Sequence, residues 1–385
     1  MTLFPQDFDE ALFLREYWQK KPLLIRASGS SFQDLISPEE LAGLACEDFI
    51  ESRLIVNKPD NTWQQRHGPF TEKDFVSLPE QNYALLVQAV DHWSDEVASL
   101  LQAFDFLPGW RIEDIMVSYA TEGGNVGPHF DYYDVFLIQG MGAKQWQLGG
   151  YADSNSPLQP NQGLRLLRDF SPQQDWTLYP GDILYLPPNL AHFGTAIGKS
   201  MTYSVGFRTP SLEEIVSGVS NECASHLSED QRYVDANPQR PGTQGEISNE
   251  VTTQISRTLM DLLADPTLIR SWFGKAMTQP RYLDQYSMAE SNDSWLSSEG
   301  FASTVREQGQ VYKNPGSRFA FQTASAEIIL FADGRELPCP LALESLIHQL
   351  CQRTPVLQTR YFKSPAELAL LYTLYCQGSL LLDSD

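Results

Sequence analysis

The sequence predicts a mainly β protein with added helices: a double-stranded β-helix, or jelly-roll, followed by a helical segment and a small α+β unit of winged-helix type. Three observations carry that expectation. From residue 112 to about 209, short runs rich in Val, Ile, Tyr and Phe recur between Gly and Pro turns, at the spacing of a sandwich or barrel. After "RTP", 208–210, the apolar period becomes helical. Beyond residue 300, two strands and two helices follow one another closely.

A chain of 385 residues is too long for one ordinary core, so more than one domain is expected. The pattern divides it into 1–209, with the jelly-roll core at about 112–209, then 210–285, which is helical, and 300–385, the α+β unit.

Taken in order, "DFDEALFLREYWQ" reads as a helix and "KKPLLIRAS" as a strand entered after a proline. Ser37 can cap "SPEELAGLAC", with Glu40 three residues on to complete a capping box. The β runs are "IEDIMVSYA", "DVFLIQG", "KQWQLGG", "WTLYP", "DILYLP" and "MTYSVGF". Helices are expected over "SLEEIVSGVSNECASHL", "EVTTQISRTLMDLLA" and "TLIRSWFGKAMTQ", and their apolar faces, such as Ile215, Val219, Ile255, Leu259 and Leu262, call for a partner. A linker is expected over "YSMAESNDSWLSSEG", 286–300. Strands "RFAFQT" and "AEIILFA" and helices "LALESLIHQLCQ" and "SPAELALLYTLYCQG" follow.

Composition narrows the setting. No stretch approaches the roughly 20 apolar residues of a membrane span, and the opening segment is acidic and amphipathic rather than leader-like, so a cytoplasmic chain without membrane contact is expected. Five scattered cysteines, odd in number and without a CxxC pair, read as reduced thiols. The net charge is −22, and residues 1–299 hold nearly all the excess, with 20 Lys and Arg against 41 Asp and Glu. Such a surface repels nucleic acid and attracts basic polypeptides, the plainer reading being that it only confers solubility.

The chemistry starts at "GPHFDYYDVF", 127–136. Residues two apart in a strand share a face, so His129 and Asp131 direct an imidazole and a carboxylate to one point. The preceding "EGGNV" lets backbone approach closely at a barrel mouth. Alone, such a pair arises often by chance. "PGDILYLPPNLAH", 180–192, adds His192 beyond a strand and a Pro-Pro turn. Two imidazoles and one carboxylate on one face, with the other face open, suit non-haem Fe(II), whereas a structural zinc site more often uses cysteines and closes all four positions. His67, His92, His226 and His348 lie outside this β region and read as surface or core groups. Lys144 sits among Met141, Trp146 and Leu148, where a lysine can hold a carboxylate inside the barrel; the alternative is a solvated lysine facing outward.

"GPHFDYYDVFLIQGMGAKQWQL", "GDILYLPPNLAHFGTA" and "MTYSVGFR" resemble the JmjC-type 2-oxoglutarate/Fe(II) oxygenases, specifically the bacterial ribosomal oxygenases. The resemblance extends over nearly the whole chain. It implies a JmjC jelly-roll of cupin type, a helical dimerisation segment and a winged-helix-like end. It implies Fe(II) held by His129, Asp131 and His192, with 2-oxoglutarate and O2 as co-substrates and Lys144 on the far carboxylate. Ser118 and Thr202 match positions where the family lines the co-substrate pocket, Thr202 standing where some relatives have Asn. The implied reaction is hydroxylation of an arginine, at its β-carbon, in a large-subunit ribosomal protein of the L-sixteen type, by a homodimer. In "DYYD", alternation places Tyr133 on the iron side and Tyr132 and Asp134 on the other.

Two other readings compete. A non-oxygenase metal-binding cupin, an isomerase or ligand sensor, would use the same barrel but has no need of Lys144. The winged-helix-like end suggests a transcription regulator, yet 7 Lys and Arg against 8 Asp and Glu leave no basic stripe, so no direct DNA binding is expected.

Overall fold

The computed structural model describes residues 3–27, 32–60, 62–160, 163–235, 238, 240, 242–282, 296–358 and 364–382. Eleven of the strands among these residues make two antiparallel sheets. In chain order they are β1 (Leu23–Ile25), β2 (Ser52–Asn57), β3 (Trp63–His67), β4 (Tyr83–Val87), β5 (Ile112–Ala120), β6 (Asp134–Gln139), β7 (Ala143–Tyr151), β8 (Gln174–Leu178), β9 (Ile183–Leu186), β10 (Leu190–Ile197) and β11 (Ser200–Phe207). The larger sheet runs β1-β9-β6-β11-β5-β4-β2-β3 and the smaller β10-β7-β8. Val135, Leu137, Leu184 and Leu186 of the first pack with Trp146, Leu148 and Leu178 of the second, which closes the jelly-roll.

The sheet therefore starts well before residue 112. β4 pairs with β5, Leu86 opposite Ser118, and carries β2 and β3 beyond it. Nothing in "WQQRH" alternates apolar with polar, so β3 carries no strand signal of its own and exists because β2 templates it.

Helices α1 (Glu10–Glu16), α2 (Pro38–Leu44), α3 (Glu72–Val76) and α4 (Asp95–Ala98) belong to the N-terminal part of the chain. Asp9 caps α1, and Ser37 with Glu40 forms the expected capping box of α2. Phe13, Leu41, Val97 and Phe104 pack on Ile115, Val117, Phe136, Tyr203 and Val205, so one face of the large sheet is sealed by these segments. Alternation then turns Asp114, Met116 and Ser118 of β5 toward the interior of the roll.

Next come α5 (Leu212–Ser225), α6 (Asn249–Leu263) and α7 (Pro266–Thr278). Gly218 lets Trp272 of α7 cross α5 closely, since a Cβ there would lie 1.9 Å from the indole Nε1. Val219 is buried, whereas Ile255 and Leu259 of α6 remain about half exposed. α7 is covered from within the chain: its Gly274 abuts the ring of Phe331 in the C-terminal unit. The exposed apolar side chains of this segment lie mainly on α5 and α6, with Ile269 of α7 also about half exposed.

The last unit contains α8 (Ser298–Gln308), β12 (Gln310–Lys313), β13 (Phe319–Thr323), β14 (Glu327–Ala332), β15 (Arg335–Pro340), α9 (Glu344–Leu350), β16 (Val356–Gln358), α10 (Pro365–Cys376) and β17 (Leu380–Leu381). Phe301, Val305, Ile328, Leu330, Ile347, Leu371 and Leu374 form its separate core. Of the expected linker, 286–295 lie outside the described residues, while 298–300 are the first turn of α8, capped by Ser297. Arg318 fastens this unit to the barrel, donating to the carbonyls of Ile112 at 2.6 Å and of Trp110, Glu113 and Met277 at 3.2 Å.

Candidate active site

The loop before His129 is built around one amide. Asn125 Oδ1 accepts from Trp63 Nε1 at 2.8 Å, Asn57 Nδ2 at 3.1 Å and Gly127 N at 3.1 Å. Gly127 has φ +82°, and Gly124 passes so near Tyr83 that a Cβ would lie 2.2 Å from the carbonyl oxygen. This tight crossing delivers His129 to a two-way bridge with His192, with N to O distances of 3.0 and 2.8 Å. Strand β6 begins only at Asp134, so His129 and Asp131 precede the regular strand rather than alternating within it. The bridge to His192, not strand pleating, brings the two side chains together. Asn189 N holds Asp131 by its carbonyl at 2.7 Å.

Here His129, Asp131 and His192 converge, with donor atoms within 4.8 Å of one another. The imidazole centroids lie 4.3 Å apart, and His192 Nε2 is 3.6 Å from Asp131 Oδ2. Each ring is oriented from behind: His129 Nδ1 donates to Gly127 O and His192 Nδ1 to Leu190 O, both at 2.9 Å. Those bonds fix the tautomer that turns both Nε2 lone pairs to the common point. Burial, then the neighbouring His129, pushes His192 down to about 4, so it stays a neutral donor at physiological pH. The other described histidines stay apart. His67 lies exposed on β3 beside Gln65, His92 is mostly buried near Asp91, and His226 and His348 face glutamates one helical turn away.

The three donors open onto a cavity of about 620 Å³ between the sheets. Lys144 of β7 is buried in its wall, its Nζ 5.0 Å from the centre of the Trp146 ring. The ring fits because its cross-strand partner is Gly194, where a Cβ would lie 2.7 Å from the indole. Burial alone acts on Lys144 and pushes it down to about 8; among the described residues no carboxylate pairs with it. Ser118 and Thr202 are cross-strand partners on β5 and β11 and line the same cavity. Among the described residues, Thr202 Oγ1 and Trp146 Nε1 are buried without a hydrogen-bond partner. A buried cation and two orphaned polar groups suit an anionic ligand with a carboxylate at one end.

Two features escaped the sequence reading. Asp114 is a cavity carboxylate, 4% exposed, held by Gln88 Nε2 at 2.9 and 3.2 Å. Its signal is the period of two it shares with Met116 and Ser118. Tyr132 joins Tyr133 at the cavity instead of facing away, with Arg165 stacked 5.7 Å from its ring. Asp134 does turn away, accepting from Tyr185 at 2.6 Å and Gln19 at 3.0 Å.

Residues 99–215 match the JmjC domain, and residues 261–381 match the ROXA-like winged helix. Among curated proteins, the ribosomal protein uL16 3-hydroxylase of Escherichia coli is 38% identical over 270 residues, covering 70% of this chain and 71% of the relative. The chain belongs to the JmjC ribosomal oxygenases. A probable ribosomal oxygenase of Haemophilus influenzae is 36% identical over 288 residues, with 72% and 71% covered. The X-ray structure of E. coli ycfD superposes with a TM-score of 0.85 at 31% identity, over 98% of this chain and 99% of that one. YcfD in complex with cobalt and 2-oxoglutarate gives 0.81, also at 31%, over 97% and 98%. This ribosomal oxygenase is thus a dioxygenase by family, with a jelly-roll and a winged-helix end.

Proposed function

We propose that this chain is a 2-oxoglutarate- and Fe(II)-dependent hydroxylase that acts on an arginine side chain, at the β-carbon, of the large-subunit ribosomal protein uL16. The observation that carries the reading is Lys144: a buried ammonium with no carboxylate partner, facing the cavity onto which His129, Asp131 and His192 open. A cupin without oxygenase chemistry has no use for it. The E. coli relative, a uL16 3-hydroxylase, supports the substrate.

His129, Asp131 and His192 would hold Fe(II), their oxygen and imidazole donors suiting that ion. Bound there with 2-oxoglutarate and O2, it would supply the oxidation, in which the co-substrate loses CO2 and takes one oxygen atom to become succinate while the target carbon gains the other. The chain does the positioning. Lys144 pairs with the far carboxylate of 2-oxoglutarate, and Thr202 and Ser118 donate to it from the facing sheet. Asp114 takes the substrate guanidinium, and Tyr133 offers it a ring face.

Long-range charge brings the substrate in, since ribosomal proteins are basic and this chain carries −22. The exposed apolar rows of α5 and α6 pair two subunits into a homodimer. The domains divide at 1–209, 210–285 and 300–385, the last bracing the assembly without direct DNA contact. Among the described residues no helix is long and apolar enough to cross a membrane; the substrate places the enzyme in the cytoplasm. Mass spectrometry of ribosomal proteins from cells with and without this gene tests the reading. It expects one oxygen atom on an arginine-containing uL16 peptide only when the gene is present, and identical peptides from both strains would contradict it.

A further inference from the structure

Arg281 is distant from the barrel in sequence and lines its cavity in space. It follows α7, within the segment matching the ROXA-like winged helix, yet it borders the active-site cavity together with Asp114 and Tyr133. It also borders a second cavity of about 330 Å³ between the barrel and the C-terminal unit. Its backbone is fixed from two directions. Arg208, just beyond β11, grips both carboxylate oxygens of Glu113 at 2.5 and 2.9 Å. The same guanidinium donates to the carbonyls of Ala276 and Gln279 at 3.0 Å, clamping the end of α7 to the barrel rim. On the other side, Tyr282 Oη lies 3.4 Å from Glu51 Oε2 and its ring stands edge-on to His92 at 6.3 Å.

We propose that Arg281 is a specificity-determining positioning residue: a positive charge brought by the C-terminal half to keep Asp114 ready for the substrate guanidinium. The proposal rests on the reading of Asp114 as guanidinium acceptor. It makes arginine recognition a property of both halves of the chain.

The surroundings of Asp114 show why such a charge is needed. Burial, and next the buried carboxylate of Asp91, push it up to about 6. Asp91 is held beside it by Ile115 N at 2.7 Å. Gln88 supplies hydrogen bonds but no charge, and Glu113 adds further negative charge from the same strand. Of the cations nearby, Arg208 is paired with Glu113, and Arg318 is turned onto four carbonyls and borders the other cavity. Arg53 acts across the cavity on Tyr133. Arg281 is the guanidinium on the cavity side that lowers Asp114. His92, pushed down to about 4 by burial, stays neutral, as do the raised phenols of Tyr133 and Tyr282.

The sign follows directly. A cation that lowers an acid's pKa raises it on removal, so without Arg281 the carboxyl of Asp114 takes up its proton at a higher pH. A neutral carboxyl does not hold a guanidinium by charge. Because Arg281 is exposed to solvent, screening keeps the displacement modest.

The test is the dissociation constant of a basic arginine peptide, measured between about pH 5 and 8 on the full-length protein and its Arg281→Gln, Arg281→Lys and Asp114→Asn variants. Wild-type affinity falls as pH drops toward about 6. For Arg281→Gln the loss begins at a pH higher by roughly 0.5 to 1, about three- to tenfold weaker binding on that limb. Arg281→Lys, which keeps the charge, restores the wild-type curve. Coincident curves for wild type and Arg281→Gln overturn the proposal, and so does tighter binding by Arg281→Gln at every pH, which would show that Arg281 competes with the substrate. Asp114→Asn separates the two claims: wild-type affinity in that variant removes the acceptor itself, whereas weak binding there with an ordinary Arg281→Gln curve removes only Arg281.

Discussion

His192 Nε2 lies 3.6 Å from Asp131 Oδ2, although one follows a Pro-Pro turn and the other precedes a strand in a different sheet. The backbone bridge between His192 and His129 creates that proximity, and hydrogen bonds from both Nδ1 atoms to carbonyls aim the rings. The chain's own backbone bonds thus hold the donor set in place, so little ordering remains for binding.

Asp131→Ala removes the anionic member of that set. Its side chain is one-quarter exposed and lies outside the regular strands, so the fold survives. Loss of a supporting residue behind a metal ligand typically costs about 10- to 100-fold, and loss of a ligand itself costs more. Succinate release should fall by more than about 100-fold while the thermal midpoint stays near wild type; unchanged turnover with iron present would refute the ligand assignment.

Lys144→Ala should raise the 2-oxoglutarate concentration needed for half-maximal rate by about ten- to a hundredfold, since a charge-assisted bond contributes roughly 1.5 to 3 kcal/mol. The wild type adds a pH signature. Burial lowers Lys144 to about 8, and a bound carboxylate favours its charged form, so co-substrate affinity is full below about 8 and weakens as pH rises through that value. Titrating the 2-oxoglutarate requirement across that range checks the sign; affinity that improves above about 8 would contradict it.

Gly194→Ala places a Cβ where only 2.7 Å separates it from the Trp146 ring. The indole must move, and with it the wall beside Lys144. A loss of about 1 to 3 kcal/mol in stability is expected, with a raised 2-oxoglutarate requirement. Urea unfolding and steady-state kinetics on the same preparation report both. A variant as stable as wild type would mean that the indole has room to shift.

The degree to which this molecule could be read beforehand followed from how local each signal was. His129, Asp131 and His192 stood out because a spacing of two and a turn ending in histidine are visible within ten or so residues. Lys144 stood out as a charge in an apolar strand. The capping box at Ser37 was equally local. By contrast, β3 is polar and forms only against β2, and α8, whose first turn fell inside what read as a linker, was not expected at all. Asp114 gains meaning only once the N-terminal segments seal the opposite face of β5. Arg281 carries no signal until α7 folds back on the barrel rim. Ser118 and Thr202 were reached through resemblance, and their pairing across β5 and β11 was not visible in either segment alone.

Ile255 and Leu259 of α6 are about half exposed, and Val216 of α5 is 65% exposed. Sedimentation of the full protein at micromolar concentration should show a dimer, and Leu259→Glu should move it toward monomer by placing a charge in an apolar contact. A monomeric wild type would leave these rows to some other partner.

The most direct test of the central claim is intact-mass analysis of a basic uL16 peptide incubated with the purified protein, Fe(II), 2-oxoglutarate and O2. The account predicts a gain of one oxygen atom on the arginine, matched by succinate and absent when 2-oxoglutarate is omitted. It also predicts much less product when that arginine is replaced by lysine, because an ammonium cannot meet Asp114 and the Tyr133 ring with the planar donor geometry of a guanidinium. Equal oxidation of both peptides, or succinate release without any modified arginine, would contradict it.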